Sequence, residues 1–316
     1  MNDTTDDKLD AVPFYMDLGA RAKARYRFCP AHLKGDVDFF LDNGYVVLKN
    51  GLPKELVERA NSDYQEHKKR YHNIYAPHGD EFGYQCRITN LHMAIPSLRE
   101  LFIKNQHALE LQDFLFGRPS SVYSSLTFEK GTEQSLHRDS PYFTTNPEYY
   151  YLGVWTALEA VDHNNGQLMV VPRGHLLHEV DRFEIFEQFY NFGDSINHSD
   201  SRLWNGYQLA TTQNVDRNGL QVLGVPMDAG DVLIWHPHLP HGGSEILDKT
   251  RTRMSIVMHV VPEAVPIHGM DVFFGNRPPL EKAQYPVIFH DGRAFMRHNE
   301  IEFAHVDPVP VEAILF

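Results

Sequence analysis

Cysteine is nearly missing from this sequence: Cys29 and Cys86 are the only two among 316 residues. Two thiols cannot build a disulfide framework, and they lack the paired spacing of a zinc site, so reduced, inert side chains in the cytoplasm are expected. Long apolar runs are missing too. No stretch approaches the roughly 18 residues of a membrane-spanning helix. The acidic start Met1-Asn2-Asp3-Thr4-Thr5-Asp6-Asp7 has no apolar region after a basic one, so no secretory leader is expected. Basic residues are outnumbered, 29 Lys plus Arg against 42 Asp plus Glu. The resulting net charge of −13 repels a phosphate backbone and argues against nucleic acid as a partner. Glycine (21) and proline (19) stay near average, which disfavours collagen-like repeats and wholesale disorder.

With 42% hydrophobic residues the chain can bury a core without cross-links. Residues 1–12 read as a disordered acidic tail and residues 13–316 as a single domain whose first part, 13–118, is a helical support. Asp36 opens a helix with Val37, Phe40 and Leu41 on its apolar face, stopped by Asn43-Gly44 and followed by a strand at Tyr45-Val46-Val47-Leu48. After Pro53, a stripe of Leu56, Val57, Ala60 and Tyr64 predicts a helix running to Arg70. Ser97 and Glu100 have capping-box spacing before a helix that carries Leu101, Leu109 and Leu115.

From Ser120 the pattern changes to β-rich runs over 122–128, 151–158, 167–171, 232–235 and 254–261. Strands without long helices between them predict an antiparallel sandwich or barrel rather than a doubly wound sheet. This core, 119–262, is interrupted by an insertion over 173–229, with a helix expected at 181–192 and an aromatic-rich remainder containing Trp204 and Tyr207. Such an excursion reads as a lid or substrate wall. Residues 263–316 form a C-terminal extension.

Histidine, with 19 copies, is the surplus that calls for partners. His137-Arg138-Asp139 puts an imidazole and a carboxylate two residues apart, on one face of an extended segment. His241, just after the strand ending at Trp235, could close a triad of two histidines and one carboxylate, which leaves open positions on an octahedral iron. Downstream, Arg251-Thr252-Arg253 opens the last strand, and either arginine could form a bidentate pair with a dicarboxylate, the other being a solvated surface charge.

These residues resemble the phytanoyl-CoA dioxygenase family of iron(II)- and 2-oxoglutarate-dependent oxygenases. The similarity runs from about Asp36 to Pro262. It is carried by Asp42-Asn43-Gly44-Tyr45-Val46-Val47, by His137-Arg138-Asp139-Ser140-Pro141-Tyr142, and by Val154-Trp155-Thr156-Ala157-Leu158-Glu159. Asn164-Asn165-Gly166-Gln167-Leu168-Met169-Val170-Val171-Pro172 and Ala229-Gly230-Asp231-Val232-Leu233 extend it. The resemblance implies a mainly β fold with flanking helices, a double-stranded β-helix (jelly-roll, cupin-like) core. It implies Fe(II) held by His137, Asp139 and His241, with 2-oxoglutarate and O2 as co-substrates. Arg253 matches the family's co-substrate arginine better than Arg251. Trp155, Ser244 and Leu126 would line the co-substrate pocket and Arg87 would lie near it. The retained Asp139 favours hydroxylation over halogenation.

The other histidines are expected in ordinary places: His236 and His238 near the distal ligand or on the surface, His175 and His178 in a solvated loop, and His67, His72, His78, His92 and His107 in surface or capping roles. Arg138 should point away from the metal face. The expected substrate is a small molecule, with an acyl thioester, an amino acid or a secondary metabolite all open. A metal-dependent cupin-like isomerase or hydrolase, or a metal-free binding module on the same fold, are the alternatives.

Overall fold

The computed structural model describes residues 9–17, 19–197, 200–275, 277–304 and 307–316. The expected tail falls mainly on residues outside this set. Its described end is tied down, with the Tyr150 hydroxyl donating to Asp10 O at 3.1 Å.

Four helices support the sheet from one side: α1 (Lys34–Asn43), α2 (Lys54–Arg70), α3 (Pro96–Ile103) and α4 (Gln106–Phe116). α1 buries Val37 and Phe40 and ends at Gly44, whose φ of 82° is left-handed. α2 buries Leu56, Val57, Ala60 and Tyr64, the expected stripe, together with His67. The single helix expected from Ser97 onward is instead two. Pro96 takes the first turn of α3, so Ser97 lies inside the helix and caps nothing, and Asn105 starts α4 by accepting from Ala108 N at 3.1 Å.

The strands that matter for the site are β1 (Tyr45–Leu48), β2 (Ile88–Thr89), β3 (Ser120–Phe128), β4 (Leu152–Ala157), β5 (Leu168–Val170), β6 (Leu223–Val225), β7 (Val232–Trp235), β8 (His241–Gly243) and β9 (Ser255–Pro262). Each of the five strands expected after Ser120 is present, with ends shifted by a residue or two at most. Among the described residues a large open sheet runs β1-β7-β4-β9-β3-β2 and continues through the C-terminal strands Glu300–Phe303 and Asp307–Pro310. A smaller sheet has the order β6-β5-β8. The C-terminal extension is thus part of the large sheet, since Glu302 and Phe303 pair with Thr89 and Ile88.

Strand alternation divides the large sheet into two apolar faces. Val46, Val122, Val154, Ile234, Ile256 and Met258 pack against the helices, while Trp155, Leu233, Trp235 and Val257 pack against Leu168 and Val170 of the small sheet. Burial on both faces makes β9 inaccessible along its whole length. The register sets rows across the inner face. One runs Val47–Leu233–Trp155–Val257–Leu126, and the next runs Tyr45–Trp235–Gly153–His259–Ser124.

The insertion carries α5 (Arg182–Glu187), capped by Asp181, and α6 (Arg202–Arg217). α5 is shorter than expected, and α6 stands where no helix was read. Its buried face is Leu203, Tyr207, Thr211 and Val215, and a threonine at a core position hides the apolar period. Two histidines assigned to surface or capping roles are core residues. His67 bonds the Tyr75 hydroxyl at 2.8 Å and Ile314 O at 2.6 Å, and His92 bonds Ser125 Oγ at 2.7 Å. His67 has both ring nitrogens partnered, which makes an imidazole compatible with a core, whereas His92 Nε2 is buried without a hydrogen-bond partner among the described residues.

Gly44 joins α1 to β1 in a left-handed conformation, and a Cβ there would press on the His175 ring. Gly44→Ala is expected to cost about 2 kcal/mol through backbone strain and overpacking. Chemical denaturation should show this as a lower midpoint with an unchanged slope.

Candidate metal centre

His137 and His241 face each other in an antiparallel bridge, each backbone N–H donating to the other's carbonyl at 2.9 Å. Directly opposed residues project to the same side, so the two rings lie 4.4 Å apart. Asp139, two residues after His137, joins them. Asp139 Oδ1 is 3.4 Å from His137 Nε2 and Oδ2 is 3.5 Å from His241 Nε2. All three residues are buried, with ligand atoms mutually within 4.8 Å.

Protonation suits a metal. His137 Nδ1 lies 2.8 Å from Ser135 O and His241 Nδ1 lies 3.0 Å from Leu239 O. A carbonyl only accepts, so each Nδ1 carries the proton and each Nε2 presents a lone pair. Burial pushes the His241 imidazole down to about 4, keeping it neutral. For Asp139, burial alone would raise the carboxyl, but His241, His137 and His259 together hold it well below the usual carboxylate range. Two imidazoles and one carboxylate fit a borderline divalent ion with open positions. Trp235 Nε1 and His259 Nε2 also reach Asp139 Oδ2, at 3.0 and 3.3 Å.

A cavity of about 70 Å³ opens beside the triad, and Arg87, Leu126, Trp155 and Arg253 line it, as expected from sequence. Arg253 is 2% exposed, lies against the rings of Phe128 and Trp155 at 5.5 and 5.6 Å, and donates from Nη1 to Gly166 O at 2.9 Å. Its Nε has no hydrogen-bond partner, and no carboxylate among the described residues is within ion-pair distance. Burial pushes its guanidinium down to about 10, which leaves it a cation at neutral pH. Arg87 donates to Gln134 Oε1 at 3.2 Å.

Two expected residues lie elsewhere. Arg251 pairs with Asp162, its Nη1 lying 3.0 and 2.9 Å from the two carboxylate oxygens, on the half-exposed surface away from the cavity. Ser244 is outside the lining because Gly243 fills the last position of β8, paired with Leu168, and carries Ser244 beyond the strand end. Arg138 points away from the metal face, as expected, to Glu179 Oε1 at 3.0 Å and to the carbonyls of Gly174 and Leu177 at 3.3 Å. His175, His236 and His238 are buried rather than solvated. They help line a separate cavity of about 580 Å³ that shares no residue with the smaller one.

Sequence reasoning missed His259, Gln134 and the part played by Trp235. Alternation could have found the first, since residues 255, 257 and 259 of one strand point the same way. From the insertion, Trp204 reaches the site, with its ring 5.3 Å from that of His137 and 4.8 Å from that of Tyr142.

Comparison with known proteins agrees with this geometry. The family model for phytanoyl-CoA dioxygenase (PhyH) matches residues 40–253. The peroxisomal phytanoyl-CoA dioxygenase of Bos taurus is 30% identical over 117 residues, 36% of this chain and 29% of that protein. Its Homo sapiens counterpart is 22% identical over 283 residues, 77% of this chain and 72% of that protein. Among solved structures, the non-heme alpha ketoglutarate dependent carbocyclase SnoK from nogalamycin biosynthesis superposes with a TM-score of 0.57 at 20% identity, covering 79% of this chain and 93% of that one. The fold and the triad define a non-haem iron oxygenase scaffold. The chain belongs to the phytanoyl-CoA dioxygenase family.

Titrating the metal-free protein with Co(II) is expected to produce visible absorption from one bound ion per chain, and no such absorption in His137→Ala or His241→Ala.

Proposed function

We propose that this protein is an Fe(II)- and 2-oxoglutarate-dependent dioxygenase that hydroxylates an unactivated C–H bond of a small molecule. The reaction consumes O2 and 2-oxoglutarate and yields hydroxylated substrate, succinate and CO2. The carrying observation is Arg253: a buried cation with no carboxylate partner among the described residues, in the same small cavity as a His-Asp-His triad. Leaving such a charge unpaired is costly, and a dicarboxylate co-substrate would satisfy it.

His137, Asp139 and His241 hold the iron. Bound iron supplies open positions for 2-oxoglutarate and O2 and the oxidising power to break the C–H bond. The chain does the rest by placement. Arg253 meets the far carboxylate of 2-oxoglutarate, and its Nε and free Nη donors suit a paired contact. Leu126, Val257, Leu168 and the face of Trp155 form dry walls that exclude water from the co-substrate and strengthen its charge contact. Arg87, held by Gln134, adds a second positive charge. The two sheets act as the facing halves of a double-stranded β-helix, and the described chain works as one catalytic unit with the insertion as its lid. Trp204, set against His137, supports that part for the insertion.

Among the described residues no helix is long and apolar enough to cross a membrane. The free thiols of Cys29 and Cys86 suit a reducing compartment such as the cytoplasm. The retained carboxylate of Asp139 favours hydroxylation, whereas one structural relative is a carbocyclase.

Anaerobic addition of Fe(II) and then 2-oxoglutarate should give a metal-to-ligand charge-transfer band. Arg253→Leu is expected to weaken 2-oxoglutarate binding about 100-fold, the loss of a charge-assisted pair, with Fe(II) binding intact. Arg251→Ala should leave both unchanged. Equal 2-oxoglutarate affinity in wild type and Arg253→Leu would overturn the assignment.

A further inference from the structure

The two oxygens of Asp139 are held differently. Oδ2 lies within hydrogen-bonding reach of two donors from the large sheet, Trp235 Nε1 at 3.0 Å and His259 Nε2 at 3.3 Å. A carboxylate only accepts, so His259 carries its proton on Nε2. In agreement, His259 Nδ1 is buried with no hydrogen-bond partner among the described residues. The ring is held flat under Phe143, with centroids 3.8 Å apart and planes 15° apart. Oδ1 has no comparable donor among the described residues and lies 3.4 Å from His137 Nε2, while Oδ2 is 3.5 Å from His241 Nε2.

Trp235 and His259 reach one oxygen because of the sheet register. They occupy one row of the inner face, on β7 and β9, with Gly153 of β4 between them. A Cβ at 153 would fall inside the indole of Trp235. The glycine therefore opens the space in which the indole lies across its neighbour strand and turns Nε1 to the carboxylate.

Building on the iron and 2-oxoglutarate reading above, we propose that Trp235 and His259 are positioning residues. They occupy Asp139 Oδ2 and leave Oδ1 for the metal, so the carboxylate binds through a single atom. The consequence is a count of coordination positions. Three protein atoms on a six-coordinate ion leave three places, two for a chelating 2-oxoglutarate and one for O2. A carboxylate free to bind through both oxygens would take one of them. Groups that orient a metal ligand govern affinity as well as geometry.

The test is anaerobic titration with Fe(II), followed by 2-oxoglutarate, in three variants of the full chain. Trp235→Phe removes the indole N–H and keeps most of the ring, His259→Leu removes the second donor, and His259→Gln keeps an N–H on a side chain of similar reach. Fe(II) affinity is expected to fall about 10- to 100-fold in Trp235→Phe and in His259→Leu. The charge-transfer band should weaken at saturating metal as the second carboxylate oxygen competes with 2-oxoglutarate, and His259→Gln should restore both. Wild-type affinity and band intensity in both Trp235→Phe and His259→Leu would overturn the proposal. If His259→Leu does not fold, Trp235→Phe decides alone. A wild-type protein that binds Fe(II) but gives no band with 2-oxoglutarate would sink the co-substrate reading only, since the clamp is still read from Fe(II) affinity.

Discussion

Two backbone hydrogen bonds between His137 and His241 are the constraint on which the site depends. The residues are 104 positions apart in the chain, and nothing local brings them together. The antiparallel bridge does, and it sets their side chains on one side with each Nδ1 turned to a nearby carbonyl. Asp139 follows from the two-residue period of an extended chain. The metal site is therefore a property of strand pairing. A one-residue slip in that pairing would turn the imidazoles to opposite faces.

Strand pairing also separates the work of the two faces. The helix-facing side of the large sheet is mainly an apolar support, with Glu129 at its margin paired to Lys68 of α2. The inner side places Trp155 on β4 and Val257 and His259 on β9, with Arg253 two residues before that strand begins, so the buried cation is anchored beside the sheet. Sites on strands are held more rigidly than sites on loops, and here Trp155, Val257, His259 and His241 all stand on strands.

Much of this was legible in the chain. The strands and the His-x-Asp spacing carried recognisable patterns, because alternation and turn residues are local signals, and the family resemblance pointed to Leu126, Trp155 and Arg253. What escaped is non-local. Arg251 and Arg253 share a strand face by periodicity, and only the position of Asp162 separates a surface pair from a buried cation. Ser244 lies just past the end of β8, which Gly243 occupies. His67 and His92 read as surface residues because an imidazole's partners, the Ile314 carbonyl for one and the Ser125 hydroxyl for the other, come from distant segments. α6 escaped because Thr211 sits where an apolar residue would have completed the period.

The far end of the large sheet has a different significance. Its outer strand, Asp307–Pro310, carries two prolines, Pro308 and Pro310, each opposite a glutamate of the neighbouring strand. A proline has no N–H to donate, so this border offers an interrupted ladder to any incoming chain. An unprotected edge strand invites growth by edge-to-edge pairing, and the two missing donors work against it. The C-terminal extension thus ends the large sheet on a strand that is a poor template for another.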